Sequence, residues 1–235
     1  MRGWADMLAF TLSRRRVDAG LPPLEYANLA VRGRRLRPIV EDQVPAALAL
    51  KPDLVSLVGG GNDLLRPDGS PDRLARRLEA AVVRLREAGA DVLLGTGFDT
   101  LGSPMVQRIR PRVAVYNALV WTIGRRHGAY VLDTWGMHSL HDWRMWADDR
   151  IHLTTDGHAR VAQAALVGLG LEPDDPAWDQ PLTPLPPTPP LDRVRSDAHW
   201  LTVHAYPWAT RRLRRRSSGD GLGAKRPLPT PVAPD

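Results

Sequence analysis

The stretch Asp53-Leu54-Val55-Ser56-Leu57-Val58, running into Gly59-Gly60-Gly61-Asn62-Asp63, constrains the fold of this chain more than any other. A continuous apolar run of this length, ended by glycines, predicts a strand buried on both faces, as in a parallel sheet. Parallel strands need long crossovers, and the flanking sequence supplies them. One helix is expected over residues 36–50. A longer one opens at Ser70-Pro71, with Ser70 as N-cap and Pro71 at the first helical position, and ends at Gly89. Its buried stripe is Leu74, Leu78, Val82 and Leu85.

The same alternation fills most of the chain. Residues 3–18 read as an amphipathic helix with Trp4, Met7, Leu8 and Leu12 on one face. Arg14, Arg15 and Arg16 close it favourably, and Gly20-Leu21-Pro22-Pro23 breaks it. Glu25 to Val31 forms a short strand leading to Arg32-Gly33, and Asp91 to Thr96 forms another. After the loop Gly97 to Met105 come a helix over 106–126 and a strand over Ala129–Asp133. The last core helix starts at Thr154 or Thr155 and runs to about Leu169. The fold class is therefore α/β: a doubly wound, three-layer parallel sheet whose ligands bind at the carboxyl ends of the strands.

Composition sets the limits. Of 235 residues, 43% are hydrophobic, enough for a core, yet no apolar window is long enough for a membrane span. The start, Met1-Arg2-Gly3-Trp4-Ala5-Asp6, lacks the apolar run of an export signal, and cytoplasmic localisation is expected. The absence of cysteine excludes disulfides and thiolate metal sites. The net charge of +6 is concentrated at the end: residues 191–235 hold nine Lys or Arg against four Asp or Glu. Three regions follow: an α/β domain over 1–172, a Pro-rich linker over 173–198, and a basic, partly disordered tail over 199–235. In that tail, Trp200, Tyr206 and Trp208 could dock on the body or meet a lipid interface. Arg211–Arg216 reads as a solvated end or a weak contact for an anionic surface, with no specific nucleic-acid binding.

Candidate chemistry lies between the elements. In Asp149-Arg150-Ile151-His152, a carboxylate three residues before an imidazole can orient it as a general base toward a hydroxyl. The same residues also read as a loop histidine and a surface charge paired with Arg150. Gly33 can let a backbone N–H approach a ligand closely, and Asn62 can offer an uncharged donor. They equally read as a turn glycine and an Asx-type turn. His138, His141, Asp142 and His152 offer metal-binding side chains, but His-x-x-His is a poor ligand spacing on a strand and only fair on a helix.

Three ordered blocks, Asn28-Leu29-Ala30-Val31-Arg32-Gly33, Gly60-Gly61-Asn62-Asp63 and Asp149-Arg150-Ile151-His152, each follow a separate strand. In this the sequence resembles the SGNH hydrolases, the GDSL-type esterases and lipases, over roughly residues 2–170. The resemblance implies a serine-type acyl-ester hydrolase acting on a small-molecule, lipid or carbohydrate ester without cofactor or metal. It makes His152 the base, Asp149 its support, and the Gly33 N–H and Asn62 amide parts of an oxyanion hole. His158 fits the family's Gly-His packing pair. The family's first block, an apolar strand ending in Gly-Asp-Ser, is absent, and with it the nucleophile. Ser13, Ser56, Ser103 and Ser139 are not placed to replace it. The resemblance therefore leads us to expect an N-terminally incomplete domain lacking its first central strand, inactive or nearly so, and prone to aggregate. A non-catalytic binding module is the alternative.

Overall fold

The computed structural model describes residues 2–99, 107–186, 189–207, 210, 219 and 221–233. In chain order the elements are α1 (Trp4–Asp18), β1 (Glu25–Asn28), α2 (Leu36–Pro38, Ile39–Gln43 and Val44–Ala49 in succession), β2 (Leu54–Leu57) and α3 (Gly61–Leu64). Then follow α4 (Pro71–Glu87), β3 (Asp91–Gly95), α5 (Arg110–His127), β4 (Tyr130–Leu132), α6 (Thr155–Gly168), α7 (Pro190–Trp200) and β5 (Arg226–Pro231).

Strands β2, β3 and β4 form a parallel sheet in that order, with Leu54 opposite Asp91 and Leu93 opposite Tyr130. Side chains alternate across it, as the strand period requires. Val92, Leu94 and Val131 enter one core with α4 and α5, through Leu78, Val82, Leu85, Val120 and Ile123. Leu93 and Leu132 enter the other, with Leu8 of α1 and Val161, Ala165 and Leu166 of α6. The three-layer α/β architecture is thus present. The expected stripe Leu74, Leu78, Val82 and Leu85 is buried, and Ser70 caps α4 by accepting from Arg73 N–H.

Strand β2 departs from the expectation of burial on both faces. Leu57 is buried, but Leu54 and Ser56 are exposed, and Val58 beyond it is 47% exposed. The reason is topological: β2 has β3 on one side and, among the described residues, no strand on the other. Strand β1 lies in a separate two-stranded sheet, antiparallel to β5. In α2 the turn Ile39–Gln43 is π-helical immediately before Pro45. Proline has no N–H to give to the carbonyl four residues back, and a widened turn absorbs that mismatch.

Two segments outside the α/β region are tied to it. Trp178 and Leu182 pack on the α6 core, Asp174 pairs with Arg14 and Arg15 at 2.7 Å each, and Arg160 donates to Trp178 O. Residues 174–182, at the start of the expected linker, therefore lie along the body. Further on, Pro227, Pro229 and Pro231 alternate with Leu228 and Thr230 in β5, and Tyr26 stands opposite Thr230. Val232 N donates to Leu24 O at 2.8 Å. The Arg211–Arg216 run lies outside the described residues.

Ser13 joins α1 to this small sheet. Its fully buried hydroxyl accepts from Leu24 N–H at 3.0 Å and donates to Val232 O at 2.5 Å. Ser13→Ala leaves a buried donor and acceptor unpaired, a loss of about 1–3 kcal/mol. Urea unfolding of the variant is expected to show that loss. An unchanged midpoint would mean that β5 does not dock here in solution.

Candidate active site

The loop after β4 is shaped by its own side chains. Asp133 Oδ1 accepts from Trp135 N–H at 3.1 Å and Gly136 N–H at 3.3 Å, turning the chain off the strand. Two 3₁₀ turns follow, Ser139–His141 and Trp143–Met145. Trp146 then bridges Leu153, and Ala147 N donates to His152 O at 2.8 Å, closing a short hairpin. Asp149 and His152 stand at its tip. Thr154 caps α6 directly after it by accepting from Gly157 N–H.

Within the tip, Asp149 Oδ1 accepts from Ile151 N–H at 3.0 Å and His152 N–H at 2.9 Å. Its Oδ2 lies 2.5 Å from His152 Nδ1. Burial by itself raises the Asp149 carboxyl. Hydrogen bonds from the His152 backbone and ring and from Ile151 outweigh it, holding the group below the usual carboxylate value. With Nδ1–H donating to Asp149, a neutral imidazole presents Nε2 as an acceptor. The His152 side chain is 51% exposed, and its Nε2 has no hydrogen-bond partner among the described residues. The pair is thus an oriented base open to an incoming proton donor.

Arg150, between them, adopts φ +56°, a left-handed conformation that costs a non-glycine residue on the order of 1 kcal/mol. It does not pair with Asp149. Its guanidinium bonds Asp197 at 2.7 Å and lies over the rings of Trp143 (5.7 Å) and Trp200 (5.3 Å). Trp200 Nε1 also donates to Asp149 O at 3.1 Å. Helix α7 therefore braces the tip. Trp200 was noted in the sequence as able to dock; its partner could not be read there, because the contact spans fifty residues of chain.

Gly33 and Asn62 meet through one residue. Gly33 has φ +75°, which favours glycine, and Asn62 Nδ2 donates to Arg34 O at 3.0 Å. Asp63 Oδ2 accepts from Leu36 N–H at 2.8 Å, so the two loops are stitched together. Gly60, at φ +100°, packs against Tyr116, whose hydroxyl donates to Gly59 O at 3.1 Å. No hydrogen bond joins Asp149 or His152 to Gly33 or Asn62 among the described residues. Trp4 N donates to His158 Nδ1 at 3.3 Å, and Asp6 caps Gly3 N–H and accepts from Tyr26 Oη at 3.1 Å, next to Asn28. Asp6 also pairs with Lys225.

The weighed metal residues are not gathered. His138 faces Asp179, His141 faces Asp99, Asp142 pairs with Arg144, and His152 holds Asp149. Among the described residues no group of three or more metal-binding side chains forms.

The sequence pattern of the GDSL-like lipase/acylhydrolase family matches residues 1–160. The chain belongs to that family. Membership places it among ester hydrolases. No curated protein matches the sequence. Solved structures share the fold. Axe2, an acetylxylan esterase from Geobacillus stearothermophilus, is 22% identical at a TM-score of 0.59, over 72% of this chain and 82% of that one. LAE5, an α/β hydrolase enzyme from the metagenome of Lake Arreo, Spain, is 24% identical at 0.57 over the same shares. TesA is 23% identical at 0.55, over 72% of this chain and 87% of that one.

His158, half-buried in the first turn of α6, accepts from the Trp4 N–H. Burial lowers its pKa, the charge of nearby His152 lowers it further, and Asp6 opposes both. A histidine whose folded pKa lies below the unfolded value binds fewer protons when folded. Its contribution is therefore intact above 6.5 and is lost as pH falls from 6.5 through the folded pKa. An NMR titration is expected to place His158 below 6.5, and His158→Gln should flatten the acid side of the stability profile. A midpoint at or above 6.5 would contradict the buried, neutral role.

Proposed function

We propose that this chain carries the machinery of a serine-type acyl-ester hydrolase, inactive or nearly so without the nucleophile's block, in which His152 is the general base and Asp149 orients it. The Gly33 N–H and Asn62 amide stabilise the oxyanion, and the nucleophilic hydroxyl comes from outside the described residues. Attack on the ester carbonyl expels the alcohol and leaves an acyl-enzyme, which water then hydrolyses with His152 again taking the proton. Each oxyanion donor is worth about 3–4 kcal/mol of barrier. The substrate class is a small-molecule or carbohydrate ester; an acetylated sugar is the version suggested by the name of Axe2.

The observation that carries this reading is the Asp149–His152 pair, with Nδ1 engaged and Nε2 open. The same openness supports a second reading, a non-catalytic module that binds an ester or sugar without cleaving it. A p-nitrophenyl acetate assay separates them. The 235-residue chain is expected to show background turnover. The chain extended at its N-terminus by an apolar strand ending in Gly-Asp-Ser should turn over, and His152→Ala in that form should lose at least about 10³-fold. Activity surviving His152→Ala removes His152 from the mechanism, and His152-dependent turnover by the 235-residue chain places the nucleophile within it. No turnover by the extended form favours the binding module.

A further inference from the structure

Beside the loops that carry Gly33 and Asn62 lies a concavity of about 320 Å³ into which five arginines converge: Arg35, Arg37, Arg66, Arg73 and Arg77. Two carboxylates, Asp63 and Asp68, also line it. Asp63 accepts from the Leu36 N–H, Asp68 forms no ion pair among the described residues, and five guanidinium groups outnumber the two carboxylates. Arg37 is held bidentately by Glu41, and Arg73 donates to the Asp68 carbonyl. Arg35, Arg66 and Arg77 have no side-chain hydrogen bond or ion pair among the described residues, although Arg66 and Arg77 are half-buried. Five guanidinium groups against two carboxylates leave an excess of positive charge in one hollow, and burial sharpens its cost.

The walls are fixed, while the heads of Arg35, Arg66 and Arg77 have no side-chain partner among the described residues. Arg112 clamps the rim from below by donating to the carbonyls of Arg66, at 2.6 Å, and Gly69. Gly69 N donates to Arg66 O, and Gly69 packs so closely against the Asp63 carbonyl that a side chain would not fit. Ser70 caps α4, which supplies Arg73 and Arg77. A rigid frame presenting free guanidinium forks is a preorganised anion receptor.

We propose that this concavity binds a small molecule bearing a tetrahedral, doubly charged oxyanion, a phosphate or a sulfate. Three terminal oxygens can engage several guanidinium forks together, whereas a carboxylate satisfies only one. An open hollow of about 320 Å³ suits such a group on a small molecule rather than a polymer. Binding here does not require the hydrolase reading, since it is measured without turnover.

Calorimetric titration of the full chain with inorganic phosphate, inorganic sulfate and glucose 6-phosphate, at low ionic strength, tests the site. Saturable binding is expected, weakened at least about tenfold in Arg66→Gln/Arg77→Gln, since each charge-assisted pair lost is worth that factor or more. Arg76→Gln/Arg125→Gln removes the same charge from unpaired positions elsewhere on the surface and should bind as the parent does. Preference for glucose 6-phosphate over phosphate would identify an esterified ligand, and the reverse a free ion; both support the site. A thermal melt confirms that each variant is folded. Absence of saturable binding at millimolar concentration, or equal weakening in both double variants, overturns the proposal.

Discussion

Parallel pairing of β3 between β2 and β4 is the constraint on which the other parts depend. One residue of offset along β3 separates the two cores, because Val92 and Leu94 face α4 and α5 while Leu93 faces α1 and α6. The parallel register also puts the carboxyl ends of all three strands at one edge. From that edge leave the loop holding Asn62 and the segment ending in Asp149 and His152. Apolar burial sets the sheet, and the sheet sets where polar chemistry can gather.

The candidate site is then built by short-range hydrogen bonds. Asp149 spends its acceptor capacity on its own loop, so the carboxylate fixes backbone and imidazole together. Arg150 takes a strained backbone conformation at the tip, offset by its ion pair with Asp197 and the flanking Trp143 and Trp200 rings. The bracing comes from α7, beyond the 1–160 region that matches the family. An acylhydrolase loop is here stabilised by a C-terminal addition.

Much of this was legible in the sequence because it rests on local rules. Ser70-Pro71 announced α4, the run 54–57 announced β2, and the spacing of Asp149 and His152 foretold a hydrogen-bonded pair that the structure contains. What stayed hidden depends on distant partners. The exposure of Leu54 follows from which strand lies beside β2, not from the run itself. Arg35, Arg66 and Arg77 come from three separate segments, and nothing in their spacing announces a shared hollow. Strand β5 was invisible for a different reason: prolines at every second position argue against a strand by composition, although one pairing edge tolerates them.

That tolerance has a consequence. Pro227, Pro229 and Pro231 have no N–H to give, so at those three places β5 offers carbonyls but no hydrogen-bond donors. A molecule seeking to pair with those residues would meet acceptors without donors, a backbone limit on extending the ribbon that needs no charge.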